Sequence, residues 1–238
     1  MEISVVIPAY NKGGVIRKTL EEVKGAFEGR DYEIIVVDDG SSDDTFSQAG
    51  KLKSDRISVL RYEKNSGKGN ALMYGSGFAK GNLVAFLDAD LDLHPSLILD
   101  FEKIMKETGA DIVIGSKRHP LSKVEYPLVR KILSNGYYLF TWAVFGLNVR
   151  DTQTGVKLFK REALLSSLRK VLCKKYVFDL ELLVNAHRLG FRTIEAPVEL
   201  KYQFSKSSIN MKSIWGMFLD TLAVAYRMHI LRYYDKVK

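Results

Sequence analysis

Three aspartates spaced two residues apart follow a run of apolar residues. Leu83 to Leu87 are all apolar, and Asp88, Asp90 and Asp92 come directly after them. A short apolar run of this kind predicts a buried parallel strand, and open α/β sheets bind ligands at the carboxyl ends of their strands. Carboxylates this close repel one another unless a cation neutralises them, and Mg²⁺ or Mn²⁺ held by carboxylates and substrate phosphates suits them. The alternative is a solvated acidic turn leading into a helix capped near Asp92 or Ser96.

A second pair of carboxylates follows another strand-like segment. Tyr32 to Val37 is rich in apolar residues, and Asp38 and Asp39 come directly after it, beside a Gly-Ser turn. Carboxylates at a strand end suit contacts to the base or ribose of a nucleotide. The other interpretation is a turn leading into a helix, because Ser42 or Asp43 could serve as its N-cap. Both interpretations can hold at once.

A glycine-rich loop runs from Asn65 to Asn70 and opens a helix. Lys68 would then lie at a helix N-terminus, where an anion is favoured. The loop lacks the G-x-x-x-x-G-K-[ST] pattern of a P-loop, and no G-x-G-x-x-G follows the first predicted strand. The pattern therefore argues against a dinucleotide-dependent oxidoreductase.

The elements that would position these groups alternate between strand and helix at least four times. Such alternation predicts an α/β fold with a mostly parallel, doubly wound sheet. The predicted strands are Ile3 to Pro8, Tyr32 to Val37, Ile57 to Tyr62, Leu83 to Leu87 and Asp111 to Gly115, and the clearest helices are Val15 to Phe27, Pro95 to Lys106 and Phe178 to Arg188. Phe191 to Tyr202 predicts a last strand at a sheet edge, because Pro197 lies inside it.

Composition limits the class of protein. The chain has 238 residues, of which 46% are hydrophobic, enough for one large α/β domain. Its single cysteine, Cys173, excludes an internal disulfide and fits a reducing compartment. A net charge of +8 favours anionic partners or a lysine-rich surface, and no nucleic-acid-binding module is visible. We expect neither a signal peptide nor a transmembrane helix.

Four motifs in order resemble those of a family 2 glycosyltransferase with the Rossmann-like GT-A fold. They are Val6 to Asn11, Val36 to Thr45, Asn65 to Gly69 and Asp88 to Asp90. The resemblance implies that a nucleotide-sugar binds here, with Asp90 helping to hold the metal on its diphosphate. The other donor-binding residues that it implies are Pro8, Tyr10, Asn11, Asp38 and Asp39 around the base and ribose, and Lys68 and Asp88 near the nucleotide.

The second half resembles the polyprenyl-phosphate branch of that family, the dolichyl-phosphate glucosyl- and mannosyltransferases. Gly115 to His119 and Arg150 to Phe159 carry this resemblance, which covers roughly residues 1 to 205. It implies that Lys117 or Arg118, together with Arg130, grips the lipid phosphate. A solvated basic turn is the alternative. The region of Tyr202 to Ser208 departs from the branch pattern, and Lys206 within it is expected to close over the diphosphate.

Two amphipathic, aromatic segments indicate contact with a membrane surface. Val129 to Leu147 and Lys212 to Tyr234 each have helical spacing and basic residues at their ends. An ordinary buried helix, or packing against the domain or a partner subunit, would explain them equally well. We expect a catalytic domain over residues 1–205, divided near residue 115 into donor and acceptor halves, and a helical extension over residues 206–238.

The leading hypothesis is an inverting enzyme at the cytoplasmic face of a membrane. It would move glucose or mannose from UDP-glucose or GDP-mannose to dolichyl or polyprenyl phosphate, with Mg²⁺ or Mn²⁺ as a Lewis acid. The basic residues Lys117, Arg118 and Arg130 would position the lipid phosphate, which needs no general base.

One alternative is a soluble or polysaccharide acceptor activated by Asp179 or Glu181, although an acid in the first turn of a helix is also favourable for the helix dipole alone. Another is a non-catalytic subunit that binds nucleotide-sugar at the membrane, beside a membrane partner or in a homo-oligomer.

Overall fold

The computed structural model describes residues 1–124, 128–175, 177–200 and 211–236, with side chains except at 128–132 and 211–214. Within these residues, seven strands form one sheet. They are β1 (Ile3–Ala9), β2 (Tyr32–Asp38), β3 (Ile57–Arg61), β4 (Leu83–Leu87), β5 (Ile112–Ser116), β6 (Val156–Lys160) and β7 (Thr193–Pro197).

The strands lie in the order β3-β2-β1-β4-β6-β5-β7. The first four strands along the chain run parallel to one another, and β7 runs parallel to β5 at the sheet edge. Only β6 among the described strands is antiparallel, and it lies between β4 and β5. The predicted mostly parallel α/β sheet is confirmed, as is the edge position of the strand that contains Pro197.

Helices cover both faces of the sheet. Along β1, Ile3, Val5 and Ile7 pack on one face and Val6 on the other, because successive side chains of a strand point to opposite sides. The described helices are α1 (Ile16–Ala26), α2 (Thr45–Gly50), α3 (Lys68–Ser76), α4 (Leu97–Thr108), α5 (Leu128–Phe145), α6 (Arg161–Leu168), α7 (Phe178–Arg188), α8 (Met211–His229) and α9 (Tyr233–Lys236). Helices α1 and α4 pack on the first face, and α3, α6 and α7 on the second.

The C-terminal segment differs from the single helix predicted over Lys212 to Tyr234. Helix α8 ends at His229, because the amides of Ile230 and Leu231 both donate to the carbonyl oxygen of Tyr226. Arg232 then adopts a left-handed conformation with φ of 48°, and α9 begins at Tyr233. No glycine or proline marks this break in the sequence.

One side of α8 packs against the domain. Val224 of α8 and Tyr234 of α9 share an apolar cluster with Phe145 of α5 and Leu180 of α7. In the part of the chain that the structure describes, none of the helices has both the length and the apolar character needed to cross a bilayer.

Candidate active site

A cavity of about 580 Å³ opens at the carboxyl ends of β1, β2 and β4. It brings together donor-side residues that are far apart in the sequence, as expected where parallel strands end at one sheet edge. The predicted residues on its wall are Pro8, Tyr10, Asp39, Lys68, Asp88 and Asp90. We refer to it as the large cavity.

The loops that follow β1 and β2 are joined by side-chain hydrogen bonds. Asn11 adopts φ of 52°, and its carboxamide oxygen accepts a hydrogen bond from the Ser42 amide at 2.9 Å. The Lys12 amide donates to the Thr45 hydroxyl at 2.6 Å, and the Gly13 amide to Asp43 at 2.9 Å. Asn11 therefore holds two loops together, and it is not among the residues that line the large cavity.

The predicted N-cap role of Ser42 or Asp43 is wrong, because the N-cap of α2 is Asp44, which makes no side-chain capping bond. Asp43 instead fixes the loop before the helix. Its carboxylate accepts a hydrogen bond from the Thr45 amide at 3.0 Å, at the first residue of α2. Burial acts to raise the pKa of Asp43, but the hydrogen bonds from Thr45 and Gly13 outweigh burial and lower it below its ordinary value. Asp43 is thus an ionised acceptor that fixes the loop.

The adjacent carboxylates Asp38 and Asp39 have different surroundings. Asp38 is fully buried, accepts a hydrogen bond from the Ser41 amide at 3.1 Å and lies 3.2 Å from Arg61 Nε. Asp39 accepts hydrogen bonds from the amides of Ser66 at 2.7 Å and Gly67 at 2.9 Å. Asp39 lines the large cavity and holds the glycine-rich loop, whereas Asp38 lies outside the cavity wall.

The glycine-rich loop places Lys68 at the first position of α3. Gly67 has φ of 98°, a conformation that favours glycine. The ammonium group of Lys68 lies 2.6 Å from Asp88 Oδ1. Burial acts to lower the pKa of Lys68, but Asp88, Asp179 and Asp90 outweigh burial and raise it above its usual value. Lys68 is therefore a fixed positive charge on the cavity wall.

Asp88, Asp90 and Asp92 border a second, small cavity of about 50 Å³. The Asp92 amide donates to Asp90 Oδ1 at 3.2 Å, so the three carboxylates lie along one turn, which we call the aspartate turn. Burial raises the pKa of Asp92, Asp90 and Asp88 raise it further, and Lys117 partly offsets them. The field at this turn therefore favours a cation.

The predicted set of three carboxylate ligands does not form a complete metal site. Among the described residues, no group of three or more acidic, histidine or cysteine side chains is arranged to hold a metal ion. Asp88 is instead paired with Lys68. Asp90 lines both cavities, so a cation bound to it would also reach substrate phosphates, which complete the oxygen ligands of Mg²⁺ in many sites. Asp90 and its neighbours suit a hard divalent ion in that way.

The structure separates the predicted acceptor residues. Lys117 lines the small cavity beside the aspartates, and its amide donates to Asp151 at 3.0 Å. The guanidinium of Arg118 turns towards α5, donates to the carbonyl oxygen of Ser134 at 2.6 Å and lies over the ring of Tyr138. Arg130 is on α5, but its side chain lies outside the described residues, as does all of Lys206.

Comparison with known proteins identifies the family. A family model described as glycosyl transferase family 2 matches residues 4–166. The chain belongs to this family.

The glycosyltransferase is similar to curated relatives over nearly its whole length. It is 33% identical over 255 residues to a dolichyl-phosphate beta-glucosyltransferase of Trichomonas vaginalis, covering 98% of this chain and 76% of that protein. It is 29% identical over 259 residues to the dolichyl-phosphate beta-glucosyltransferase of Saccharomyces cerevisiae, covering 97% of this chain and 76% of that protein. The fold is similar to that of glucosyl-3-phosphoglycerate synthase from Mycobacterium tuberculosis, in a crystal structure with Mn²⁺, UDP-glucose and phosphoglyceric acid. The TM-score is 0.70 and the sequence identity is 21%, and the match covers 94% of this chain and 78% of that one. This likeness confirms the predicted GT-A fold.

Several residues on the glycosyltransferase's large cavity had no donor-site role in the sequence prediction. The sequence predicts Asp179 only as a base for a soluble acceptor. Gln153 belongs to a segment that carried the branch resemblance, so a signal was present. Lys175 gave no signal, because only the fold brings it against Gly67. The added lining residues are Lys12, Asn65, Gln153, Lys175 and Asp179.

Glu181, the other candidate base, is not among the residues that line either cavity. It is fully buried and accepts hydrogen bonds from the Cys173 amide at 2.6 Å and from Arg227 at 3.0 Å. Tyr234 also donates to it. Burial raises the pKa of Cys173 to about 12, and Glu181 adds to this effect. Glu181 therefore anchors the C-terminal helices to the domain.

Proposed function

We propose that this glycosyltransferase moves glucose from UDP-glucose to dolichyl phosphate or another polyprenyl phosphate. The observation that carries the proposal is the extent of the similarity to dolichyl-phosphate beta-glucosyltransferases, which spans 98% of the chain and so includes its acceptor half. The large cavity supports it, because its walls carry Lys12, Lys68 and Lys175 beside acidic groups at the strand ends. These cations suit a nucleoside diphosphate.

We propose a direct displacement at the anomeric carbon. A phosphate oxygen of the acceptor would attack the anomeric carbon, the new carbon–oxygen bond would form, and the bond to the donor diphosphate would break with its electron pair leaving on UDP. One displacement inverts the anomeric carbon. Since an acceptor phosphate is ionised at neutral pH, no side chain has to remove a proton.

Each charged residue then has a defined task. Lys68 lies where it would neutralise the leaving diphosphate, and Asp88 fixes its ammonium group. Lys117 lies beside the aspartate turn, where it would orient the acceptor phosphate. A divalent ion held by Asp90 and the diphosphate would supply Lewis-acid stabilisation of the leaving group.

We also propose that the glycosyltransferase attaches to the cytoplasmic face of a membrane through α5 and α8. The two helices contact each other through Phe140 and Phe218, whose ring centroids are 5.8 Å apart. On their outer sides, Trp142, Trp215 and Leu219 are each more than half exposed. Large exposed apolar patches mark interaction surfaces, and aromatic residues favour the lipid–water interface.

A transfer assay tests the proposed reaction. Purified protein with Mg²⁺ or Mn²⁺ and a short polyprenyl phosphate would receive UDP-glucose or GDP-mannose in parallel, with EDTA in a third set. We expect lipid-linked glucose from UDP-glucose alone and none with EDTA. The variant Asp90→Ala should lower transfer at least about 10²-fold, whereas Asp100→Ala, an exposed carboxylate of α4, should match the wild type. Transfer only to water-soluble acceptors would contradict the proposal.

A further inference from the structure

Lys157 is a fully buried lysine in the centre of the sheet. It lies on β6, in register with Phe86 of β4 and Ile114 of β5, and only 1% of its surface is exposed. Those two neighbours belong to the apolar cluster on the α7 side of the sheet. An isolated lysine in such surroundings is strongly disfavoured unless its charge is paired.

The ammonium group of Lys157 contacts two separate segments. It donates to Asp179 Oδ1 at 2.7 Å and to the carbonyl oxygen of Thr154 at 2.6 Å. Asp179 is in the first turn of α7 and lines the large cavity. Thr154 is in the loop before β6, next to Gln153, which lines both cavities.

That loop also fixes the neighbouring aspartate. The Asp88 amide donates to the carbonyl oxygen of Gly155 at 3.1 Å, and a methyl group added at Gly155 would collide with the Asp88 carboxylate. These contacts of Asp88 come from the backbone of Gly155, whereas the ammonium group of Lys157 joins Asp179 to the Thr154 carbonyl beside Gln153.

A buried ion pair is a poor way to stabilise a fold, because apolar residues of similar volume serve as well or better. The pair of Lys157 and Asp179 is therefore better explained by the cavity that Asp179 lines. From the proposed function it follows that the nucleoside lies over β1 and β2 and the diphosphate over β4. The strand order then places the sugar at the β6 side, beside Asp179 and Gln153.

We infer that Lys157 is a positioning residue for the transferred sugar. It holds Asp179 as a hydrogen-bond acceptor for hydroxyl groups of the hexose, and through the Thr154 carbonyl it fixes the loop that carries Gln153 on the same wall. A carboxylate in this place would repel the diphosphate, whereas neutral hydroxyl groups donate hydrogen bonds to it. This inference rests on the proposed function.

The test separates sugar recognition from nucleotide binding. UDP affinity, UDP-glucose affinity and glucose transfer would be measured for Lys157→Met, Asp179→Asn and the double variant of both. We expect unchanged UDP affinity, weaker UDP-glucose binding and a loss of kcat/KM of roughly 10²-fold in each single variant. The double variant should be no slower than either single one, because the two residues act as a unit.

The same strand provides a matched control. Lys160 also pairs with an aspartate at 2.8 Å, but this pair with Asp111 is partly exposed and is not among the cavity-lining residues. Lys160→Met should therefore leave transfer unchanged. If Lys157→Met fails to fold, a second double variant, Lys157→Met combined with Asp179→Leu, takes its place. This variant has neither buried charge, so we expect it to fold but to remain inactive in transfer.

Three results would overturn the inference. They are a folded Lys157→Met enzyme with wild-type kcat/KM, equal losses of UDP and UDP-glucose affinity, or an active apolar double variant. A wild-type protein that binds UDP-glucose but transfers nothing to polyprenyl phosphate would instead refute the proposed acceptor. The inference about Lys157 would then be decided by the two affinities alone.

Discussion

At the residue scale, the aspartate turn shows how one charge can be costly and useful at once. Burial raises the pKa of Asp92, and the repulsion from Asp90 and Asp88 adds to that rise. The ionised form is therefore disfavoured in the folded protein relative to the unfolded chain. A bound cation would reverse this effect, which connects the stability of the turn to the proposed metal.

Asp92→Asn should stabilise the metal-free protein in a pH-dependent way. A raised pKa makes the wild type lose stability as pH rises from the ordinary aspartate range, about 4, through the folded-state value. The variant lacks that loss, so its Tm should exceed that of the wild type at neutral pH, and the two should converge as pH falls.

Thermal unfolding from pH 4 to pH 8 in EDTA measures this difference. Mn²⁺ should raise the Tm of the wild type more than that of the variant. Asp55→Asn, an exposed loop position, should show no such trend. A higher wild-type Tm at neutral pH without metal would contradict the proposed repulsion.

At the element scale, apolar spacing predicted most helices and strands to within a few residues. Helix α7 begins and ends at Phe178 and Arg188, as predicted. The antiparallel direction of β6 was not predictable, because the residues of a five-residue strand carry no signal of its direction. The role of Asn11 was also missed, since its contacts depend on how closely two loops approach across the sheet.

The contact of the glycine-rich loop with the segment before α7 could not be predicted either. Gly67 lies against Lys174, and a methyl group added at Gly67 would be 2.6 Å from the carbonyl oxygen of Lys174. The Asn70 amide donates to the same oxygen at 3.2 Å. No sequence motif links residues so far apart in the chain.

Gly67→Ala should weaken both the fold and the site. Gly67 has φ of 98° and ψ of 153°, a conformation that essentially only glycine adopts, so alanine there costs on the order of 1–3 kcal/mol, and the collision with Lys174 adds to this cost. Since Lys68 follows directly, we expect UDP affinity to fall about tenfold, which corresponds to about 1.4 kcal/mol.

Denaturant unfolding and UDP titration test this pair of effects. Gly25→Ala is the matched control, because Gly25 lies within α1 with open space around it. That substitution should raise the free energy of unfolding by about 0.5–1 kcal/mol and leave UDP binding unchanged. Wild-type UDP affinity in a folded Gly67→Ala protein would show that the loop does not contribute to the site.

At the scale of the whole molecule, one enzyme has to reach both a soluble donor and a lipid-linked acceptor. The net charge of +8 favours anionic surfaces. Glu181 holds α8 and α9 to the domain through Arg227 and Tyr234. Packing against the domain, one of the roles that the sequence left open for this segment, is therefore observed, and membrane contact is the role that we propose for the exposed side of α8.

Replacing Trp215 and Leu219 together by serine should separate lipid binding from catalysis. Both side chains are more than half exposed, at 59% and 58%, so the fold should lose little stability. Burying two such side chains in a lipid interface contributes a few kcal/mol, and we expect binding to phosphatidylcholine–phosphatidylserine vesicles to fall at least about tenfold.

Transfer from UDP-glucose should then fall for a long polyprenyl phosphate in vesicles but stay at the wild-type level for a short, detergent-soluble one. Leu189→Ser is the control, because Leu189 is an exposed leucine that follows α7, outside both proposed contact helices.

Raising the salt concentration should weaken vesicle binding of the wild type, since the +8 charge attracts anionic lipid. If the double-serine protein sediments with vesicles as well as the wild type does, α8 is not the contact surface. Its outer side would then be the place to look for a partner subunit.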